Sequence, residues 1–361
     1  MTRVLLLCQS DALWCKVVYC LAGAGAEIHV FSDRRISVQY SRYIKNFSRV
    51  QLPAHAVASE DLIGQINDYI AAHKIDCIVA GDLDAQALLY ELKPHLTNAE
   101  CFPVSSGETL EWLHDKWRFH QLLTSHNLPS PPTVLLQEKG DVFREGVYAL
   151  KFPVMAKPPG KQAGKGVVRA NTIHDLADHV YGNYPYNRLP LLVQEYVPGL
   201  DAGLSLLAQD GRIVASLGQQ YEPNGALTFF TDPEMLAAGE KIVELTNYNG
   251  VAHIDCRRDV DGSLGAIVEC NPRFWYSMPA AMAQGVNFVE MGIKLALSTE
   301  QQTTCATEFD EGPYYPLRAA LKHIWKGGLP PQNLRELARE TLDFKPHLYK
   351  FTKSLRGSRR V

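Results

Sequence analysis

The sequence predicts an α/β fold, with a parallel-sheet domain first and two smaller α+β lobes after it. Three observations predict this. Over the first hundred residues, short apolar runs alternate with helical periodicity, the pattern of βαβ units. Beyond residue 105 the runs become short strands divided by turn signals. At 361 residues the chain has room for a large core and exceeds one small domain.

The elements follow in order. Val4–Cys8 is a buried strand, and a helix runs from Asp11, its expected cap, to Ala22. Glu27–Phe31 is the second strand, Leu62–Ala72 a helix and Asp76–Ala80 a strand ending in Gly81-Asp82-Leu83-Asp84. The result is a Rossmann-like parallel sheet. Ligands of such sheets bind outside the carboxyl ends of the strands, where Asp82 and Asp84 fall; Asp82 is equally placed to cap the next helix. Gly23-Ala-Gly-Ala26 follows the first helix, whereas a dinucleotide loop belongs between first strand and first helix. That position holds Gln9-Ser-Asp11, so NAD or FAD binding here is not expected.

Ser106 or Thr109 opens a short helix, and Asp115–Asn127 forms another. Asn127-Leu-Pro-Ser-Pro-Pro132 is a stiff connection. Val134–Leu136, Val154–Lys157, Gly166–Ala170 and Leu191–Glu195 read as strands, with a helix from Thr172 to Val180. A second sheet takes Gly203–Ala208 and Arg212–Gly218 around the turn Gln209-Asp-Gly211, then a helix, Pro233–Thr246. Val251–Arg257 and Leu264–Cys270 form a hairpin around Asp259-Val-Asp-Gly262. Helices are expected at Phe288–Leu297, Leu317–Lys326 and Leu334–Glu340, before a charged, frayed terminus carrying Lys350, Lys353, Arg356, Arg359 and Arg360. The expected domains are residues 1–104, 105–197, 198–300 and a helical extension, 301–361.

Composition narrows the function. Net charge is −3, so no global basic field gathers nucleic acid or an acidic membrane. No apolar stretch approaches a membrane span and the N-terminal run is too short for a signal, so a cytoplasmic protein is expected. The eight cysteines show no repeated pair spacing; Cys8, Cys77, Cys256 and Cys270 sit in apolar runs as small core fillers, and no zinc site is expected.

The chemistry concentrates in Glu269-Cys-Asn271-Pro-Arg273, with Asp255 upstream. Glu269 and Asn271 share a strand face, and Asp255 lies on the paired strand. Two carboxylates and an amide offer hard oxygen ligands suited to Mg²⁺ beside phosphate. A structural ion-pair cluster with Arg257 or Arg273 is the competing reading. Lys157 ends an apolar strand before Gly160, Gly164 and Gly166, whose backbone N–H groups suit anionic oxygens. The stretch is not a Walker A loop. Gln194-Glu195-Tyr-Val197-Pro-Gly199 joins two lobes and offers backbone and carboxylate groups to an adenine or ribose.

In this order and spacing, these residues resemble the ATP-grasp superfamily over about residues 105–300, particularly relatives of carbamoyl-phosphate synthase and biotin carboxylase. The resemblance implies a pre-ATP-grasp N-terminal domain followed by a two-lobed ATP-grasp fold. Asp115-Lys116 matches the family's helical Asp-Lys pair, Lys157 its second phosphate lysine, and Gly160–Gly166 its flexible loop. Gln194, Glu195 and Val197 match the connector, and Asp255, Glu269 and Asn271 the metal ligands. Arg273 matches the arginine that holds phosphate or the acylphosphate intermediate. Relatives often carry Glu or Gln at the position of Asp255, whose shorter reach favours a water-bridged bond. Trp275 and Tyr276 read as pocket walls or core aromatics; Arg257 and Arg258 are further pocket candidates.

The implied activity is that of an ADP-forming carboxylate–amine ligase using ATP and Mg²⁺, with Mn²⁺ as a substitute. Small-molecule carboxylate and amine substrates are implied, and a homodimer is compatible with the fold. Neither a nucleic-acid nor a membrane partner is expected. Competing readings are a bicarbonate-dependent carboxylase, a small-molecule kinase and a non-catalytic nucleotide-binding regulator.

Overall fold

The computed structural model describes residues 1–11, 13–53, 58–162, 164–298, 309, 312–325, 327 and 331–357. Ala163, Cys305, Lys326, Arg359 and Arg360, all within the sequence expectations, lie outside them. The chain divides into two compact units: residues 1–110, 204–253 and 272–361 form one, and residues 111–203 with 254–271 the other.

The first unit begins with β1 (Arg3–Leu7), α1 (Trp14–Gly23), β2 (Glu27–Ser32), β3 (Ile44–Arg49), α2 (Glu60–His73), β4 (Cys77–Ala80), α3 (Leu83–Leu92) and β5 (Glu100–Cys101). The strands make one parallel sheet in the order β3-β2-β1-β4-β5. Alternation along β1 explains its wholly apolar sequence. Val4 and Leu6 enter the core containing α1, while Leu5 and Leu7 enter the core formed with α2 and α3. Both faces are covered, so every position is apolar.

The expected Asp11 cap is a correction: α1 starts at Trp14, and its N-cap, Leu13, makes no side-chain cap. Asp11 instead accepts from the Trp14 indole (2.8 Å), the Ser37 backbone N–H (3.0 Å) and the Ser37 hydroxyl. An indole donor in a core needs a partner, and Asp11 supplies it. β3 went unread because Ile44-Lys-Asn-Phe-Ser-Arg49 is a half-exposed edge strand without a clear apolar alternation.

After α4 (Gly107–His114), the second unit contains α5 (Lys116–Ser125), β6 (Thr133–Leu136), α6 (Glu145–Tyr148), β7 (Val154–Lys157), β8 (Val168–Ala170), α7 (Ile173–Tyr181) and β9 (Leu191–Glu195). Its sheet is antiparallel, ordered β6-β9-β7-β8. Thr172 and Asp175 form a reciprocal capping box that starts α7. The longer strands are β10 (Leu200–Gln209) and β11 (Arg212–Tyr221), followed by β12 (Leu227–Phe230), α8 (Pro233–Leu245), β13 (Gly250–Arg258) and β14 (Leu264–Asn271). They are ordered β12-β11-β10-β13-β14, so the β13–β14 neighbours carry the acidic motif.

The remaining helices are α9 (Met278–Ala283), α10 (Phe288–Leu297), α11 (Leu317–Ile324), α12 (Pro331–Thr341) and α13 (Phe344–Gly357). The frayed terminus is a second correction, because α13 is a docked helix as far as it is described. Buried Asp343 accepts from the Ser41 hydroxyl (2.7 Å) and the Arg42 N–H (2.8 Å) at its start. Lys350 donates to the Asp11 carbonyl (2.7 Å) and lies 5.4 Å from the Trp14 ring centroid. A run of basic residues conceals such a helix when one of its lysines has a defined acceptor. No helix among the described residues is long and apolar enough to cross a membrane.

Candidate nucleotide and metal site

The sequence-predicted site residues other than Arg273 all belong to the second unit: Lys116, Lys157, Gly160, Gly164, Gly166, Gln194, Glu195, Val197, Asp255, Glu269 and Asn271. Asp115 caps α5 by accepting from the N–H groups of Trp117 (2.9 Å) and Arg118 (3.0 Å). The cap places Lys116 at the first helical position, where its backbone N–H has no partner inside the helix. That N–H donates to the Pro159 carbonyl (3.2 Å), and the Lys116 ammonium donates to the Lys161 carbonyl (2.7 Å). The same ammonium is 3.1 Å from a Glu269 oxygen. Lys116 therefore links the glycine loop to the acidic strand.

The glycines of the loop differ. Gly164 and Gly166 have φ of +67° and +79°, which L-residues rarely adopt. Gly160 has neither a positive φ nor a close neighbour, so its backbone does not require glycine.

Asn271 donates its amide nitrogen to Asp255 (2.7 Å) and, at 3.5 Å, to Glu269. Strand alternation puts Glu269 and Asn271 on one face of β14 with Asp255 beside them on β13, while buried Ile254 and Cys270 alternate to the other face. The donor set fits Mg²⁺: two carboxylates converge on one amide, whose oxygen becomes available when the carboxamide turns over.

Lys157 is 4% exposed, and its ammonium donates to the Gln194 side-chain oxygen at 2.7 Å. Gln194 in turn donates to the Thr133 hydroxyl at 2.9 Å. Burial is the main reason the Lys157 pKa falls to about 8; Lys116 lowers it further, while Glu269 and Asp255 pull it up. Burial also depresses the pKa of His120, with Lys157 adding to the effect. Its ring nitrogen lies 2.8 Å from the Ser130 hydroxyl.

The connector is tightly held. Glu195 accepts from the Lys151 N–H (2.8 Å), and the amides of Glu195 and Tyr196 donate to the Pro132 and Pro153 carbonyls, each at 3.0 Å. Arg257 donates to the Val197 carbonyl (3.0 Å), to the Gly199 carbonyl and to Asp201. Gly199 has φ +110°, and a Cβ there would collide with the Arg258 carbonyl oxygen.

Several pocket candidates find other roles. Arg257 braces the connector, and Arg258 donates to the Gly262 carbonyl (2.9 Å) in the hairpin turn. Asp82 accepts from the N–H groups of Gln9 and Ser10 (both 2.7 Å) and Ala85 (3.0 Å), so the capping reading holds for it. Asp84 lies in the first turn of α3. Trp275 is a core aromatic, 4% exposed, stacked on His253 at 5.5 Å and edge-on to Phe288 at 5.2 Å. Tyr276 is 64% exposed and lines a cavity. Arg273 belongs to the first unit, where its guanidinium donates to the Phe274 carbonyl (2.9 Å).

Sequence reasoning missed Thr133, Ser130 and His120 around Lys157, and the carbonyls of Pro159 and Lys161 that receive Lys116. The spacing around Asp115-Lys116 held one usable signal: a capped first-turn lysine has a backbone N–H to give away.

These features define the class. The fold is that of the ATP-grasp proteins, preceded by a Rossmann-like parallel-sheet domain. The family described as ATP-grasp in the biosynthetic pathway with Ter operon matches residues 187–311, a span that contains the connector, Asp255, Glu269, Asn271 and Arg273. Among solved structures, the biotin carboxylase domain dimer of Hydrogenobacter thermophilus 2-oxoglutarate carboxylase, in complex with MgADP, ADP and bicarbonate, is 15% identical with a TM-score of 0.61; the match covers 86% of this chain and 73% of that one. L-amino acid ligase from Bacillus licheniformis is 15% identical, TM-score 0.57, covering 86% and 78%. N5-carboxyaminoimidazole synthetase from Staphylococcus aureus is 13% identical, TM-score 0.59, covering 86% and 80%. No curated protein matches the sequence.

Proposed function

We propose that this protein is an ATP-dependent, ADP-forming ligase that activates a carboxylate as an acylphosphate and joins it to an amine. The observation that carries the reading is the linked set Lys161–Lys116–Glu269–Asn271–Asp255, with Lys157 coupled to it electrostatically in the same unit. The likeness to an L-amino acid ligase and to structures holding ADP or MgADP supports it. We further propose that residues 1–104, 105–197, 198–300 and 301–361 act as its functional domains.

Asp255, Glu269 and Asn271 would hold Mg²⁺, whose chemistry is to neutralise charge on phosphoryl oxygens. Lys157 and Lys116 place ammonium groups against phosphate, and loop N–H groups at Gly164 and Gly166 add donors. Gln194 acts through Lys157: it fixes the ammonium in place. Glu195 and Val197 supply the connector that meets the adenosine. A carboxylate oxygen of the substrate attacks the γ-phosphorus and the bond to ADP breaks. The amine nitrogen then attacks the acyl carbon, the bond to phosphate breaks, and the amine proton passes to phosphate or water. Arg273 steadies the carboxylate and its phosphorylated form. Closure of the glycine loop keeps water from the acylphosphate.

The test is mass spectrometry of products after incubation with Mg²⁺-ATP and pooled acids and amines, with Glu269→Ala as control. Amide, ADP and phosphate in equal amounts support the reading. Stable phosphorylated acid without amide overturns it, and ADP release driven by bicarbonate alone makes the protein a carboxylase.

A further inference from the structure

The first unit contains a cavity of about 730 Å³ that the nucleotide chemistry does not use. This is ample for a small-molecule ligand. Aromatic side chains form much of its wall: Tyr221, Tyr276, Tyr314 and Phe344. Leu227, Pro316 and Leu317 add aliphatic surface. Two charged groups also line it, Lys16 from α1 and Glu340 from α12. Their side chains are only 6% and 16% exposed, and ammonium and carboxylate lie 3.0 Å apart. The Lys16 ammonium is also 4.4 Å from the Tyr276 ring centroid.

The pair has a definite electrostatic character. Burial is the largest single influence and works against the Lys16 charge, but the charge and hydrogen bond of Glu340, with Cys15 and Tyr276, together outweigh it, and the pKa is raised. The Lys16 ammonium and the Glu340 carboxylate, 3.0 Å apart, give the cavity a strong dipole. A lone anion would gain Lys16 and meet Glu340; a lone cation would meet the reverse. A head carrying both charges a few ångströms apart pairs antiparallel with the dipole and leaves neither protein charge unmatched. The aromatic wall suits a flat apolar body, and its ring faces also attract an ammonium.

We propose that this cavity binds a zwitterionic small molecule with an aromatic body, the chemistry of a free aromatic amino acid. The carboxylate sits on Lys16, the ammonium on Glu340, and the body lies against Tyr276 and Phe344. This goes beyond the ligase reading and does not depend on it: the site binds its ligand without nucleotide.

Calorimetric titration of the full chain without nucleotide tests it, using L-phenylalanine, 2-phenylethylamine and 3-phenylpropanoate. L-phenylalanine is expected to bind with a Kd below about 1 mM. The amine and the acid, each lacking half the head, bind at least roughly 10-fold more weakly. Lys16→Met abolishes binding. Should that variant not fold, Tyr276→Ala and Phe344→Ala serve instead, since Tyr276 is 64% and Phe344 59% exposed; each weakens binding several-fold. Glu269→Ala keeps the affinity, which separates this site from the ligase chemistry. Absence of L-phenylalanine binding, equal binding of all three compounds, or affinity unchanged in both aromatic variants overturns the proposal.

Discussion

Two buried lysines show how a partner decides what burial does. Lys157 and Lys16 are almost equally enclosed, 4% and 5% exposed. Lys157 rests on a neutral amide, Gln194, and its pKa falls to about 8. Lys16 rests on a carboxylate, Glu340, and its pKa rises. An amide oxygen satisfies a hydrogen bond without repaying the lost hydration of a charge; a carboxylate does both. The lysine of the candidate nucleotide site is thus held under strain that an arriving anion relieves. The lysine of the apolar cavity is already neutralised.

The comparison can be broken in several ways, in descending order of effect. Glu269→Ala removes a carboxylate of the acidic set and the partner of Lys116, and is expected to cut Mg²⁺-ATP turnover by about 10³-fold. Steady-state ADP release measures it. The two lysines then part company on stability. At pH 7 Lys157→Met removes a charge the fold tolerates poorly, and denaturant titration should show a gain of about 2 kcal/mol. Lys16→Met leaves Glu340 without its partner and should lose about 2 kcal/mol. Equal signs for the two variants end the contrast.

The pH dependence sharpens it. Between pH 8 and the ordinary lysine value of 10.5, the unfolded chain binds a proton at this position that folded Lys157 does not. Stability from this residue therefore rises with pH across that window, by about 3 kcal/mol in all. The contribution of Lys16 runs the other way: complete below pH 10.5 and lost as pH rises through its higher folded value. Denaturant titrations of the two methionine variants against the parent, from pH 7 to 10.5, separate them: the Lys157 difference changes with pH, while the Lys16 difference stays flat. The smallest effect belongs to Trp275, packed against His253 and Phe288 rather than lining the cavity. Trp275→Phe should cost about 1 kcal/mol of stability and leave L-phenylalanine affinity unchanged.

Much of this was legible in the sequence, for physical reasons. The strands of the parallel sheet announce themselves because both faces are buried, so Val4–Leu7 and Cys77–Ala80 are apolar throughout. Val154–Lys157, Leu191–Glu195 and Phe288–Leu297 have the expected limits, set by proline, glycine and capping residues around them. The half-exposed strand β3, the short α6 and α9, and the basic helix α13 carried no comparable pattern. At the candidate site the residue types and strand faces could be read, but partners could not. Nothing local says that Gln194 grips Lys157, that Arg257 braces the connector, or that Trp275 turns into the core while Tyr276 lines a cavity. Those depend on contacts between residues far apart in the chain.

The most direct measurement is the titration of Lys157, followed by NMR of lysine side-chain methylene carbons and assigned with Lys157→Met. Without nucleotide, one lysine should titrate near pH 8; with saturating MgADP the same signal should move above pH 9, with proton uptake at pH 8.5. A Lys157 signal that titrates like free lysine, or one that MgADP leaves unmoved, contradicts the account.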